Sequence, residues 1–175
     1  MKQLTSKILK VLKWPYNRGF SLAEILLAVA ILAFALCGIL AMHTTCLVLM
    51  ATSKNVNIAT NAAQGLIEEI RSAPFAQIED GSLEINDQPF VEISSNLYRC
   101  KFPVDVLPSN MVVVYVDVTN PELLEVTISV CWEQGNRIIG EDTNLNGVLD
   151  AGEDKSPYNQ IIDSPVELVT RIANR

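Results

Sequence analysis

Hydrophobic residues follow three different patterns along this chain of 175 residues. Residues 20–42 are almost continuously apolar, and Glu24 is their only ionised side chain. From Lys54 onward, apolar residues recur every third or fourth position, and beyond Pro74 they often alternate with polar ones. Because a helix repeats every 3.6 residues and a strand every two, these patterns predict one long helix followed by strands.

The predicted helix covers 20–73 and has two parts. Its first part, 20–42, contains 23 residues, and at about 1.5 Å per residue it can span a hydrocarbon layer of about 30 Å. Its second part, 43–73, is predicted to be amphipathic. The apolar stripe is expected to consist of Ile58, Ala62, Leu66 and Ile70, with Ile67 beside them. Pro74 predicts the end of the helix near Ala73, because the residue before a proline disfavours helical geometry.

The remaining segment, 74–175, is predicted to form a β-rich head. Its strand candidates, rich in β-branched and aromatic residues, are 83–85, 90–93, 98–106, 111–118, 124–132 and 166–172. In 124–132, apolar and polar residues alternate strictly, which predicts a strand with one buried and one water-exposed face. The expected fold is α+β, with one long N-terminal helix packed on a C-terminal antiparallel sheet.

Charge is divided along the chain as well. Five of the 13 basic residues and no acidic residue lie in 1–19, so the rest of the chain carries eight basic and 20 acidic side chains. An acidic body lacks the clustered Lys and Arg that replace phosphate counterions, and we therefore expect no nucleic-acid partner. The basic segment is expected to stay cytoplasmic, with the head across the membrane.

The basic and apolar segments together allow three interpretations: a secretory signal peptide, a plain membrane anchor, or a processed membrane helix. A signal peptide has an apolar core of about 7–15 residues, which is shorter than 20–42. A plain anchor does not account for Glu24, because a carboxylate in an apolar helix costs a few kcal/mol to bury.

The sequence at 18–26 reads RGFSLAEIL. It resembles the prepilin processing and methylation motif of type IV pilins and type II secretion pseudopilins. The resemblance implies that a prepilin peptidase removes the leader 1–19 by cutting after Gly19, and that Phe20 becomes the methylated N-terminus. Glu24 is then the fifth mature residue, where its carboxylate would pair with the α-ammonium of a neighbouring subunit. Residue 41 is alanine where major pilins commonly have proline, which favours a minor pilin or a minor pseudopilin.

The resemblance also implies a location and partners. The helix would cross the inner membrane once, with a periplasmic head, and would then enter an envelope filament. Its partners would be other pilin or pseudopilin subunits and a membrane assembly platform. Such a subunit is not an enzyme, and the sequence also lacks a recognisable nucleophile–base arrangement or phosphate-binding glycine loop. The alternative is a membrane-anchored calcium-binding receptor or adhesin module that does not polymerise.

A second motif occupies 142–153, with the sequence DTNLNGVLDAGE. It fits the twelve-residue EF-hand loop pattern, in which oxygen ligands surround calcium and a glycine permits the sharp turn. The predicted ligands are Asp142, Asn144, Asn146, the carbonyl of Val148, Asp150 and Glu153. Gly140 and Pro157 argue against two full flanking helices, so we expect an EF-hand-like loop between the last two strands, with calcium in a structural role. Its alternative is a solvated acidic turn.

The four cysteines have no CxxC spacing. Cys100 follows the apolar face of its predicted strand, whereas Cys131 follows the polar face of another. A disulfide between them requires both side chains on one face, although a non-cytoplasmic head would permit oxidation. The sequence leaves this disulfide open.

Overall fold

The computed structural model describes residues 19–105, 107, 109–155 and 159–174. These residues belong to two compact units, of which the first extends to Val48 and the second begins at Leu49. The basic leader before Gly19, the predicted strand residue Val106 and the flanking Pro157 lie outside the described residues.

Helix α1 (Leu22–Ser72) contains 51 residues. It begins after Ser21, whose carbonyl accepts hydrogen bonds from the Glu24 and Ile25 amides at 2.9 and 3.1 Å. It ends two residues before Pro74, and the short helix α2 (Phe75–Glu79) follows. The predicted helix is therefore confirmed, with its C-terminal boundary one residue from the expected position.

Eight strands are found in the described part of the head. They are β1 (Glu84–Ile85), β2 (Gln88–Pro89), β3 (Val91–Ser94), β4 (Leu97–Phe102), β5 (Asn110–Asp117), β6 (Leu123–Gln134), β7 (Arg137–Ile139) and β8 (Glu167–Ala173). The six predicted strands correspond to β1, β3, β4, β5, β6 and β8. Strands β2 and β7 were not predicted, because two or three residues are too few to establish an alternating pattern.

Six of these strands form one antiparallel sheet in the order β3-β4-β5-β6-β7, with β8 also paired to β6. Strand β6 has 12 residues, so one of its edges accommodates two partners. Leu123–Ser129 pairs with β8, and Trp132–Gln134 pairs with β7. One long N-terminal helix packed on an antiparallel sheet is the predicted α+β fold.

The inner face of the sheet packs against the second part of α1. The helix residues fully or largely buried there are Ala59, Ala63, Leu66 and Ile70. Burying a side chain the size of Leu66 or Ile70 contributes about 1.5–3 kcal/mol. The predicted stripe was half right: Leu66 and Ile70 belong to it, whereas Ile58 and Ala62 are only partly buried at its margin.

A buried asparagine fixes the connection between β4 and β5. The Asn110 side-chain oxygen accepts the Val104 amide at 2.8 Å, and its amide nitrogen donates to the carbonyls of Val104 and Leu107. These three bonds satisfy the backbone groups of Val104 and Leu107, which lie outside the strands.

The outer face of the sheet differs from the prediction. The face of β6 expected to be wet carries Thr127, Ser129 and Cys131, and all three are buried. They lie beneath a chain segment that follows β7, together with a second hydrophobic cluster formed by Val113, Tyr115, Cys131 and Ile162. The prediction of a water-exposed face is therefore wrong for the centre of β6. Glu125 and Glu133, towards its ends, keep access to solvent.

Candidate functional site

The first candidate site is the beginning of α1. The Ser21 hydroxyl accepts the Ala23 amide at 3.3 Å, which makes Ser21 the N-cap of the helix. Glu24 lies three residues later, in the first helical turn. A carboxylate there interacts favourably with the positive end of the helix dipole. The spacing Ser-x-x-Glu is also that of a capping box, a local role for Glu24 that differs from pairing with another subunit.

The Glu24 carboxylate is not used in such a box. Among the described residues it has no hydrogen-bond or ion-pair partner, and it lies on an exposed surface. Phe20 and Glu24 line a shallow groove of about 420 Å³, whose other walls are the apolar side chains of Ile25, Ala28, Val29 and Leu32. The site therefore combines one carboxylate, a hydrogen-bond acceptor, with surrounding apolar side chains.

The helix that follows is uncovered on every side within its own unit. Every residue from 22 to 48 is exposed, Phe34 by 84% of its surface. Helix α1 is long and apolar enough to cross a membrane, and it is the one such helix among the residues described. Residues 22–42 of the candidate membrane span predicted at 20–42 lie within it, consistent with single-pass anchoring.

The second candidate site is the loop 142–153, which is closed by its own side chains. The Asp142 carboxylate accepts the amides of Asn146 and Gly147 at 3.0 and 2.7 Å. The Glu153 carboxylate accepts the amides of Thr143 and Asp150, both at 2.9 Å. The first and last residues of the motif therefore both bond to the loop backbone, and Asp142 is fully buried.

The middle of the loop gathers three further predicted ligands. The side-chain amides of Asn144 and Asn146 both donate to one Asp150 oxygen, at 2.7 and 2.9 Å. The Asn146 side-chain oxygen accepts the Val148 amide at 2.6 Å. The oxygen and nitrogen of a side-chain amide exchange positions when the group rotates by half a turn. Asn144 and Asn146 can therefore direct either an N–H donor or an oxygen ligand towards the position beside Asp150.

The oxygen donors of this loop are the ligand types that the EF-hand pattern predicts. All the side-chain groups are hard oxygen donors of the kind calcium binds, and Gly147, at φ +68°, makes the required turn. In the part of the chain that the structure describes, no three Asp, Glu, His or Cys side chains are grouped closely enough to hold an ion together. The three predicted carboxylate ligands, Asp142, Asp150 and Glu153, therefore do not form such a group in this structure.

The electrostatics of Glu153 fit an ionised ligand. Burial acts to raise the pKa of this carboxyl group, but hydrogen bonds from the Thr143 hydroxyl and from the amides of Asp150 and Thr143 outweigh it. The pKa of Glu153 is therefore below its usual value. The carboxylate is in the charged form that a cation requires.

Contacts from outside the motif hold the loop to the sheet. The Lys101 ammonium on β4 donates to the Asn146 carbonyl at 2.6 Å. Gly147 lies directly on the Lys101 side chain, since a Cβ built at Gly147 would be 2.6 Å from its Cδ and 2.9 Å from its Cβ. Local sequence patterns do not predict this contact, because 45 residues separate Lys101 from Asn146.

Cys100 and Cys131 are free thiols. Cys100 belongs to the core beneath α1, and Cys131 belongs to the outer cluster. The opposite faces expected from the alternation are observed. Burial raises the pKa of each thiol to about 11.

Comparisons with protein-family models, with characterised proteins and with solved structures find no match to this chain.

Proposed function

We propose that this chain is a prepilin-like structural subunit of a type IV pilus or a type II secretion pseudopilus. In this proposal a prepilin peptidase cleaves after Gly19, Phe20 is methylated, and the apolar part of α1 anchors the head in the inner membrane. Assembly then transfers the helix into a filament of pilin or pseudopilin subunits.

The observation that carries the proposal is the position of Glu24. It is an exposed carboxylate in the first turn of an uncovered apolar helix, with no partner among the described residues. In an apolar environment an unpaired carboxylate is costly. Cleavage after Gly19 creates an α-ammonium on Phe20, and a neighbouring subunit can bring that cation to Glu24.

Such a pair also sets the axial register of adjacent helices. Apolar side chains pack at many offsets, whereas an ammonium and a carboxylate separated by about 4 Å attract each other strongly at the effective dielectric of a protein. Removing one member leaves the other charge buried and unpaired, which costs about 3–5 kcal/mol. The pair therefore favours one offset over the others.

The test is the Glu24→Gln variant, which keeps the shape of the side chain and removes its charge. We expect its incorporation into filaments, measured by immunoblotting of the sheared fibre fraction, to fall at least tenfold. Glu69→Gln is the matched control, because Glu69 is an exposed glutamate on the same helix within the head. Equal incorporation of Glu24→Gln and the control would refute the charge pair.

Mass spectrometry of the chain from its host separates the two candidate functions. A mature chain that begins with methylated Phe20 supports the filament subunit. An intact leader on a monomeric protein overturns it and favours the membrane-anchored receptor or adhesin module.

We also propose that the loop 142–153 binds one structural calcium ion. The support is its donor set and the two carboxylates, Asp142 and Glu153, that close it. Isothermal titration of the mature protein in detergent should give saturable calcium uptake that Asp142→Ala plus Glu153→Ala abolishes. Glu84→Ala plus Glu92→Ala removes the same charge from exposed positions on β1 and β3 and should leave uptake intact. Uptake that survives the first pair would refute the site.

A further inference from the structure

The outer face of the sheet is covered by the segment that contains the calcium loop. The covered residues Val113, Tyr115 and Cys131 are at most 1% exposed. The apolar side chains packed against them from the segment after β7 are Leu145, Leu149, Ile161 and Ile162. Leu145 and Leu149 lie within 142–153, between the predicted ligands, so the loop itself forms part of the cover.

The two parts of the cover are attached differently. Residues after the loop bond directly to the sheet: the Ile162 amide donates to the Tyr115 hydroxyl at 3.1 Å, and the Ser164 hydroxyl donates to the Val130 carbonyl. At the first residue of the loop, the Asp142 backbone bonds with the Cys131 thiol. Beyond Asp142, the one hydrogen bond from the loop to a described sheet residue is made by the exposed Lys101 to Asn146. The loop is therefore the less firmly attached part.

The loop also contains strain and repulsion that favour its opening. Leu145 has φ +54°, a left-handed conformation that costs a bulky residue about 1–2 kcal/mol. Asp142, Asp150 and Glu153 add three carboxyl groups within twelve residues. A bound divalent cation removes the mutual repulsion of these carboxylates. It also holds the predicted ligands on either side of Leu145 in place, so that Leu145 keeps its position.

We propose that calcium in the loop 142–153 keeps Leu145 and Leu149 on the outer face of the head, and that loss of calcium uncovers this face around Cys131. Lys101 acts as the positioning residue, because it joins the loop backbone to β4. This inference rests on the calcium site proposed above. It adds that the ion controls access to a specific surface.

The chain contains a matched pair of thiols to test this. Cys100 and Cys131 are equally buried but lie on opposite faces of the sheet. The experiment uses the mature protein in detergent with Cys37→Ser and Cys46→Ser, so that these two thiols alone remain. Alkylation by iodoacetamide is followed for each by peptide mass spectrometry, with saturating calcium or with a chelator.

With calcium, we expect both thiols to be protected. With the chelator, alkylation of Cys131 should accelerate at least tenfold while that of Cys100 stays unchanged. Equal acceleration of both would indicate opening of the whole head and would overturn the inference. Unchanged Cys131 protection, in a protein that takes up calcium by calorimetry, would overturn the inference and leave the calcium site standing. Absence of calcium uptake would overturn both.

A second variant tests the role of Lys101. Lys101→Met keeps the aliphatic side chain beside Gly147 but removes the ammonium group. We expect Cys131 to be alkylated several-fold faster in calcium than in the parent, with one calcium still bound. Lys155→Met is the control, since it removes an equal charge from an exposed residue just after the loop. If the two variants behave alike, Lys101 does not position the loop.

Discussion

Gly140, two residues before the first residue of the loop 142–153, offers a quantitative test of how the outer layer is attached. Its φ is +113°, and a Cβ built there would lie 2.3 Å from the Cys131 Sγ and 3.1 Å from its Cβ. Gly140→Ala should cost about 1–3 kcal/mol for the backbone conformation and about 1–3 kcal/mol for the overlap. Gly135→Ala should cost only about 1 kcal/mol, because Gly135 also has positive φ but has open space around it.

The overlap can be isolated with a double-mutant cycle. Cys131→Ala removes the sulfur atom and should cost about 1–2 kcal/mol by itself. In the double variant, the new methyl group of residue 140 takes part of the space left by the sulfur. The combined loss should therefore be smaller than the sum of the single losses, by about 1–3 kcal/mol.

Unfolding by urea, followed by tryptophan fluorescence, measures these differences. Trp132 is fully buried and is the only tryptophan after Gly19, so its emission reports on the head. Equal losses for Gly140→Ala and Gly135→Ala, or additive losses in the cycle, would show that Gly140 does not contact Cys131. The close packing of Gly140 on Cys131, through which the outer layer contacts the sheet, would then be wrong.

Three further predictions concern the head. Folded Cys100 and Cys131 keep their protons up to about pH 11, whereas thiols in the unfolded chain lose theirs at about pH 8.5. The contribution of each thiol to the free energy of unfolding should therefore be full below about pH 8.5 and fall above it, by about 1.4 kcal/mol per pH unit. Urea titrations at several pH values measure this slope, and Cys100→Ala should halve it. Asn110→Ala should lose about 2–4 kcal/mol in urea unfolding, because one buried and two partly buried backbone groups lose their partner, and a loss below about 1 kcal/mol would contradict this. Arg171→Ala should lose less than about 1 kcal/mol in the same assay, since its ion pair with Glu125 is largely exposed, and a loss above 2 kcal/mol would contradict that.

The helix and most of the sheet could be predicted because their signals are local and repetitive. The almost continuously apolar segment 20–42, with 23 residues, and the run of β-branched residues in β5 each identify an element without reference to the rest of the chain. The same holds for the loop 142–153, whose ligand candidates lie within twelve residues. In the structure Asn144 and Asn146 donate to Asp150, whereas Asp142 and Glu153 bond to the loop backbone. Calcium binding by these residues stays a prediction.

The outer layer could not be predicted, because its contacts are long-range and its sheet residues are polar. Ser129 and Thr127 are typical of a wet strand face, yet both are buried. The contact of Tyr115 with Ile162 joins residues 47 positions apart. No periodicity in either segment indicates such a pairing, and only the folded chain brings the acidic loop over β4, β5 and β6.

The distribution of apolar surface indicates which part of this molecule needs a partner. Both faces of the sheet are covered by the chain itself, the inner face by α1 and the outer face by the segment after β7. Of the 21 large apolar side chains exposed among the described residues, 17 lie between Phe20 and Met50, and four lie on the head. Burying an apolar side chain of this size is worth about 1.5–3 kcal/mol, so this stretch requires lipid or other helices around it. The same surroundings make an unpaired carboxylate at Glu24 unfavourable, and this cost is the physical basis of the charge pair proposed above.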